Sequence, residues 1–134
     1  MHRLLAALSL LVLLAGCGGD GSTDPTAGIA GTYSLRTVNG SPLPYTLQQS
    51  GTFKLEITSD AYALTDNGTW TEAWSERTTS NGQVTTETFT DAGTYSRSGT
   101  AITLVSPGAG AVSGTVSGGT LTLAAQGFSL VFIR

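Results

Sequence analysis

Closely spaced turn signals are the feature of this sequence that most limits its fold. After residue 28, short runs of β-prone residues alternate with turn signals, three of which are Asn-Gly pairs. Asn-Gly favours the two-residue type I′ turn, which joins antiparallel strands. No run between turns is long enough for the crossover helix that parallel strands require. The turn signals are Asn39-Gly40, Gly51, Asp66-Asn67-Gly68, Ser80-Asn81-Gly82, Ser98-Gly99, Pro107-Gly108, Gly118-Gly119 and Gln126-Gly127.

The runs between these turns are typical of β-strands. In residues 52–59 (TFKLEITS), apolar and polar side chains alternate, as they do in a half-buried strand. A short turn is expected at Asp60, before the next run, AYALT (61–65). A meander of this length exposes two edges unless it closes on itself. We therefore predict an all-β fold, an antiparallel up-and-down meander that closes into a small barrel of 8–10 strands, with a sandwich as the alternative.

The first twenty residues resemble the signal of an exported bacterial lipoprotein. A short basic start precedes an apolar run from Leu4 to Ala15, which is too short for a membrane-spanning helix of about 20 residues. The run leads into Leu14-Ala15-Gly16-Cys17, which is similar to a lipobox. The resemblance implies that Cys17 receives a diacylglyceryl group and becomes the first residue after cleavage. The alternative is a free thiol, which is a liability in an exported protein because Cys17 is the only cysteine and cannot form an intrachain disulfide.

This interpretation divides the chain into a signal peptide (1–16), a lipidated Cys with a flexible tether (17–28) and a barrel domain (29–134). The tether contains no aromatic or branched apolar residue, so it has nothing to pack and reaches about 20 Å. Residue 18 is Gly and not Asp, which favours the outer membrane in the enterobacterial sorting pattern. We expect a lipid-anchored monomer of the bacterial cell envelope, in the outer membrane and facing the periplasm.

The charge of the chain argues against two classes of partner. Once Arg3 leaves with the signal peptide, five basic residues remain against nine acidic ones, a net charge of −4. No basic run remains, which argues against binding to nucleic acid and against electrostatic binding to anionic lipid. The membrane contact is therefore expected to come from the lipid on Cys17.

The order of the predicted strands resembles that of the small bacterial lipocalin-like lipoproteins. The first strand opens with Gly31-x-Tyr33, which is similar to the lipocalin Gly-x-Trp opening, and the last strand is followed by Arg134. In lipocalins a basic residue from the far end of the barrel packs across the first-strand aromatic. The resemblance thus implies that Tyr33 and Arg134 close the barrel, and that the barrel binds a small apolar molecule.

Both tryptophans lie in residues 69–80, just before the Asn81-Gly82 turn. If that turn has two residues, Trp74 lies opposite Phe89, whereas a four-residue turn sets Trp74 opposite Glu87. An aromatic cross-strand pair is favourable, which favours the two-residue turn, but the sequence alone does not fix the strand register at residues 89–95. The same register makes three further pairs: Trp70 with Gly93, Glu72 with Asp91, and Glu76 with Glu87.

One face of this predicted hairpin is aromatic and acidic, and we expect it to point into the barrel. The acids are expected at its wetter, turn-proximal end. The face is either packed core, an aromatic pocket with an acidic mouth for an apolar or amine-bearing ligand, or a calcium site built from four carboxylates. The candidate ligand-binding residues are Trp70, Trp74, Phe89, Tyr95 and Glu72. The four carboxylates are those of Glu72, Glu76, Glu87 and Asp91.

The sequence offers few side chains for catalysis. The only histidine, His2, lies in the signal peptide, and the only cysteine is the expected anchor. The mature chain then lacks a His base, a Cys nucleophile and the ordinary zinc ligands. Lys54 alternates with apolar residues and is expected in solvent. Paired carboxylates such as those of Glu72 and Asp91 could act as acid and base on a glycoside, but nothing else in the sequence supports this chemistry. We expect a protein that is not an enzyme and uses no cofactor.

Two functional hypotheses follow. The first is a lipid-anchored barrel that binds a small hydrophobic or amphipathic ligand, favoured by a cavity lined by Trp70, Trp74 and Tyr95. The second is a structural or protein-interaction module of the envelope, favoured by a fully packed interior. The stiff apolar segment NGSPLPY (39–45) is either a lid over the barrel or an ordinary hairpin connection.

Overall fold

The computed structural model describes residues 28–134, which form antiparallel β-structure. The predicted signal peptide, Cys17 and all of the predicted tether except Gly28 lie outside the described residues. Within residues 28–134, no helix has the length and hydropathy needed to cross a membrane. The strands are β1 (Gly31–Val38), β2 (Ser41–Pro42), β3 (Tyr45–Ser50), β4 (Phe53–Leu64), β5 (Thr69–Ser80), β6 (Gln83–Ser98), β7 (Ala101–Ser106), β8 (Gly110–Ser117), β9 (Thr120–Ala125) and β10 (Phe128–Ile133).

Eight of these strands close into a barrel. Strands β4 to β10 pair in chain order, and β10 pairs with β1. β1 completes the ring by pairing with β4 through Gly31–Ser34 and Ala61–Leu64. β2 and β3 lie outside the ring, on β1 and on β4. The predicted closed meander is confirmed, and the sandwich alternative is wrong. An eight-stranded antiparallel barrel is also consistent with a lipocalin-like fold.

Two-residue turns fix the register of the hairpins. Asn81 and Gly82 have φ angles of 50° and 78°, the positive values that a type I′ turn needs. Ser80 therefore pairs with Gln83, and Trp74 pairs with Phe89. The register expected for a two-residue turn is the observed one, and it continues through residues 89–94, where the sequence alone leaves it open.

β4 is one continuous strand, so the turn expected at Asp60 is wrong. Its pairing with β5 shifts between Ile57 and Ser59, which makes Thr58 an extra residue, a β-bulge. After the extra residue, the even-numbered side chains point to the face that the odd-numbered side chains occupy before it. Ile57 and Asp60 therefore both point into the barrel, although their numbers differ in parity.

The hydrophobic core fills the end of the barrel where β1 pairs with β4, which we call the closed end. Tyr33 and Phe132 are completely buried there, and Tyr33 Oη donates a hydrogen bond of 2.7 Å to the carbonyl of Ile29. Trp70 and Tyr95 are also buried. The core consists of Ile29, Tyr33, Leu35, Val38, Tyr62, Leu64, Trp70, Tyr95, Ile102, Leu104, Val116, Leu121, Leu123 and Phe132.

At the opposite end, the open end, the strands separate. β6 pairs with β7 only from Thr94 onward, so residues 83–93 pair with β5 alone and project as a hairpin. The sequence predicts Phe89 inside the barrel, and this placement is wrong, since Phe89 is 37% exposed. The physical reason is that β7 does not reach Phe89, so no opposing wall covers its ring.

The outer face of β4 carries an ion-pair cluster. Lys54 Nζ lies 2.7 Å from Glu56 Oε1, and Arg77 Nη2 lies 2.8 Å from Glu56 Oε2. The two cations cover the Glu56 side chain, which is only 5% exposed. Hydrogen bonds from Lys54 and then Arg77 lower the pKa of Glu56. This cluster lies on the outside of the sheet, so these cations do not neutralise the interior.

Candidate functional site

A cavity of about 310 Å³ opens between the inner faces of the strands at the open end. On the side of the closed end, the cavity is bounded by the hydrophobic core, which contributes Leu104 and Val38. Its rim is formed by the chain around Ala109 and Gly110 and by Phe128. The interior of the barrel is therefore only partly filled by side chains.

Three aromatic residues of β4 and β5 line one wall of the cavity. The ring of Tyr62 lies 5.4 Å from that of Trp70, and it also packs edge-on against Phe132 at 5.2 Å. Trp70 is fixed from behind, because its Nε1 donates a 2.9 Å hydrogen bond to the carbonyl of Thr94. Trp74 lies nearer the mouth. This wall presents flat apolar surface to the cavity.

Trp74 is held at the mouth from two sides. Its ring stacks on Phe89, with centroids 5.3 Å apart and an interplanar angle of 25°. Its Nε1 donates a hydrogen bond of 3.1 Å to Glu76 Oε1. Both contacts come from the projecting hairpin of β5 and β6, so this hairpin orients the indole that borders the cavity.

Beside the aromatic wall lies a pair of acids, Asp60 and Glu72. Asp60 is 6% exposed, and its Oδ1 has no hydrogen-bond partner. Burial, followed by the nearby charge of Glu72, raises the pKa of Asp60 to about 8. Burial also raises the pKa of Glu72, which lies within hydrogen-bonding reach of Tyr62 and Asp60. Near neutral pH this pair therefore retains a proton, and both residues line the cavity.

A third acid, Asp91, stabilises the rim. Ser106 Oγ donates a hydrogen bond of 3.1 Å to Asp91 Oδ1 and accepts bonds of 3.2 Å from the backbone N–H groups of Gly108 and Ala109. The connection from β7 to β8 is thus fixed to β6 at the point where the two strands separate.

The ionisable groups at the cavity are acidic, and no basic side chain lines it among the described residues. Asp60, Glu72, Glu76 and Asp91 all border it, whereas no Lys, Arg or His lines it within residues 28–134. The same part of the chain contains no group of His, Cys, Asp or Glu side chains arranged to hold a metal ion. The arrangement suits binding by aromatic contact and by carboxyl groups.

The structure brings together only some of the residues proposed from the sequence. Trp70, Trp74 and Glu72 line the cavity. Phe89 and Tyr95 do not: Phe89 supports Trp74 from outside, and Tyr95 is buried at the closed end, where its Oη donates to the carbonyl of Thr65. Glu72 was expected at the mouth, and this placement is wrong, because its cross-strand partner is the buried Tyr62.

Asp60 and Tyr62 are the residues of the site that sequence reasoning missed. A turn predicted at Asp60 takes this residue out of the strand and separates Tyr62 from the face of Phe53, Leu55 and Ile57. The signal was present in the sequence, since Tyr62 and Leu64 continue the apolar alternation of Phe53 to Ile57 with the opposite parity. A change of parity without Gly or Pro is typical of a bulge within one strand.

The segment from residue 39 to 45 packs along the mouth. Tyr45 lies edge-on to Phe128, with ring centroids 6.1 Å apart. Asn39 Oδ1 accepts a hydrogen bond of 2.8 Å from the backbone N–H of Ser129, and Ser41–Pro42 pair with β1. These contacts attach the segment to β10 and β1. The segment is therefore a packed hairpin connection, the second of the two alternatives.

Tyr33 and Arg134 meet at the closed end. The guanidinium carbon of Arg134 lies 5.7 Å from the centroid of the Tyr33 ring. Arg134 Nη1 also donates hydrogen bonds of 3.0 and 3.1 Å to the carbonyls of Gly28 and Ala30. Burial raises the pKa of Tyr33, and the charge of Arg134 partly offsets that effect. The guanidinium thus joins the end of β10 to the chain entering β1.

Comparisons with known proteins found no relative of this chain. No protein-family model matches the chain, and neither a curated protein nor a solved structure is detectably similar to it.

Proposed function

We propose that this protein is a lipid-anchored protein of the bacterial cell envelope whose barrel binds a small hydrophobic or amphipathic molecule. The observation that carries the proposal is the cavity of about 310 Å³ bordered by Trp70 and Trp74. This volume lies at the lower end of the range for small-molecule sites, which starts near 300 Å³. A ligand of about ten to fifteen non-hydrogen atoms fits that space.

The shape of the barrel supports binding from the aqueous side. The chain enters at the closed end, where Gly28 accepts a hydrogen bond from Arg134. A tether from Cys17 would therefore join the barrel at the closed end, opposite the cavity mouth. The ligand would reach the aromatic wall from solution.

One observation favours the alternative, a protein-interaction module. Residues 83–93 of β6 pair with β5 alone, so one backbone edge of the projecting hairpin is open to a further strand. Val84 on this hairpin is 62% exposed. In this alternative the hairpin would bind another protein by strand addition, and the cavity would stay empty.

Tryptophan fluorescence tests the binding proposal. The full chain, as the cell processes it, is reconstituted in lipid nanodiscs and titrated with 4-phenylbutanol, with empty nanodiscs as the blank. We expect a saturable shift of the emission maximum. The shift should need a higher concentration of the alcohol in Trp74→Ala and should be unchanged in Val84→Ala, an exposed position on the same hairpin. An emission spectrum of the wild-type chain that stays constant up to millimolar concentrations of the alcohol would contradict the proposal.

Membrane fractionation tests the anchor separately. We expect the wild-type chain in the membrane fraction. Its mass should correspond to a chain that begins at Cys17 and carries a diacylglyceryl group on that residue. Cys17→Ser removes the sulfur that would carry the lipid and should leave the chain unlipidated and uncleaved. A processed wild-type chain without lipid would overturn the anchor and leave the binding proposal standing.

A further inference from the structure

The interior of the barrel contains a carboxyl oxygen without a partner. Asp60 is 6% exposed and lines the cavity, and its Oδ1 accepts no hydrogen bond. A buried polar atom without a partner is destabilising, and most such atoms in folded proteins are satisfied. Because Asp60 lines the cavity, a ligand that enters beside it and donates a hydrogen bond would give this buried oxygen a partner.

From this geometry we infer that the ligand is a cation, a protonated organic amine with an apolar body, whose ammonium group binds between Asp60 and Glu72. The inference rests on the proposed function and names the chemical class of its ligand. The apolar body would lie along Trp70 and Trp74. An ammonium group on these aromatic faces also gains from cation–π attraction.

The ionisable side chains that line the cavity with Asp60 are acids and a phenol, and none of them is basic. β5 contributes Glu72 and Glu76, β6 contributes Asp91, and β4 contributes the phenol of Tyr62. The other strands that line the cavity contribute apolar or uncharged side chains, among them Val38, Leu104 and Phe128. Near neutral pH the binding of an ammonium group would displace the proton that burial retains on the pair, because the pKa of Asp60 is raised to about 8.

The same surroundings exclude other ligand classes. A carboxylate or phosphate would meet four acidic side chains and no basic one in the cavity, and like charges repel strongly in a buried site. A divalent metal needs several oxygen ligands around one point, and residues 28–134 contain no such group. A neutral apolar molecule fits the aromatic wall but leaves Oδ1 of Asp60 without a donor.

Three probes of similar shape separate these classes. The full chain in nanodiscs is titrated by calorimetry at pH 7 with 4-phenylbutylamine, 4-phenylbutanol and 4-phenylbutanoate. We expect the amine to bind about 10- to 100-fold more tightly than the alcohol, since hydrogen bonds to charged groups are the strong ones. The carboxylate should bind more weakly than the alcohol.

Isosteric variants assign the selectivity to the two acids. Asp60→Asn with Glu72→Gln should bring the affinity for the amine to that for the alcohol, within about threefold. Glu87→Gln is the matched control, because Glu87 is exposed on the same hairpin and outside the cavity. The ratio of amine affinity to alcohol affinity is measured within one protein, so a general loss of affinity does not affect it. If the double variant fails to fold, the ratio in the wild-type chain still tests the inference.

The outcomes are distinguishable. Selective binding of the amine that depends on the two acids supports the inference. Equal binding of amine and alcohol, or selectivity that survives the double variant, overturns the inference but keeps the proposed binding function. If none of the three probes binds the wild-type chain, the proposed function and the inference both fail.

Discussion

Asp60 and Trp74 lie directly opposite each other in the ladder between β4 and β5. This pairing sets the buried carboxyl group beside the indole that borders the mouth of the cavity. One residue offers an acceptor without a donor, and the other offers an aromatic face. Two neighbouring positions on adjacent strands therefore combine the charge and the apolar surface on which the proposed site depends.

The acids in the barrel predict that stability falls as the pH rises. In the folded state the pKa of Asp60 is raised from 3.8 to about 8, so between these values the folded protein holds a proton that the unfolded chain loses. The free energy of unfolding should decrease by up to about 1.4 kcal/mol per pH unit in this window. The raised pKa of Glu72 acts in the same direction. Urea unfolding at pH 5 and pH 8 measures the effect.

Asp60→Asn is the direct check of this assignment. The amide cannot ionise, so the variant should lose much of the pH dependence and should be more stable than the wild type at pH 8. Glu56→Gln serves as a contrast, because the pKa of Glu56 is lowered and its contribution to stability disappears only below about pH 4.5. A wild-type protein that grows more stable from pH 5 to pH 8 would show that the interior acids are charged and compensated.

Trp74 and Phe89 should differ in their effect on ligand binding. Trp74 lines the cavity, whereas Phe89 only stacks on its outer face. We expect Trp74→Ala to weaken binding of 4-phenylbutylamine about tenfold or more, and Phe89→Ala by no more than about threefold. Calorimetric titration of both variants measures the difference. Equal losses would indicate that the ligand lies on the exposed hairpin and outside the barrel.

Gly93 should be required for the fold at the point where β6 separates from β7. A Cβ atom at this position would lie 1.9 Å from the carbonyl oxygen of Val105 and 2.9 Å from the ring of Trp70. We expect Gly93→Ala to lower the free energy of unfolding by about 2 kcal/mol or more. Gly108→Ala is the control, since the nearest atom there is 4.0 Å away. Equal stability of the two variants in urea would show that the strands move apart freely.

Arg134 should stabilise the closed end without affecting the cavity. Arg134→Ala removes the contact with Tyr33 and the hydrogen bonds to Gly28 and Ala30, and we expect a loss of about 1–2 kcal/mol. Arg36→Ala, at an exposed position of β1, should cause little change. Thermal unfolding compares the two variants. Affinity for 4-phenylbutylamine should be the same in both, and a large loss in Arg134→Ala would mean that the two ends of the barrel are coupled.

The hairpin register was predictable because local chemistry determines it. Asn81-Gly82 favours one turn type, and that turn alone pairs Trp74 with Phe89. Closure was predictable for a general reason, since a long antiparallel meander otherwise exposes its edges. Both conclusions depend on residues that are adjacent along the chain or across one turn.

The acidic part of the site was not predictable in the same way. The bulge at Thr58 reverses the parity of β4, and this brings Asp60 and Tyr62 to the inner face beside Glu72. The exposure of Phe89 depends on where β7 ends relative to β6. The relative length of two neighbouring strands cannot be read from the alternation of side chains within one of them. The errors therefore fall where strand length and bulges, and not turns, decide which side chains meet.

The indole signals of the two tryptophans test the central claim most directly. In a ¹H–¹⁵N spectrum of the full chain in nanodiscs, Trp70 and Trp74 give two side-chain N–H peaks, which Trp74→Phe assigns. Both indoles border the cavity, so we predict that 4-phenylbutylamine shifts both peaks with one saturable binding curve. Peaks that stay in place while the amine reaches millimolar concentration would contradict the account and would show that the barrel binds no such ligand.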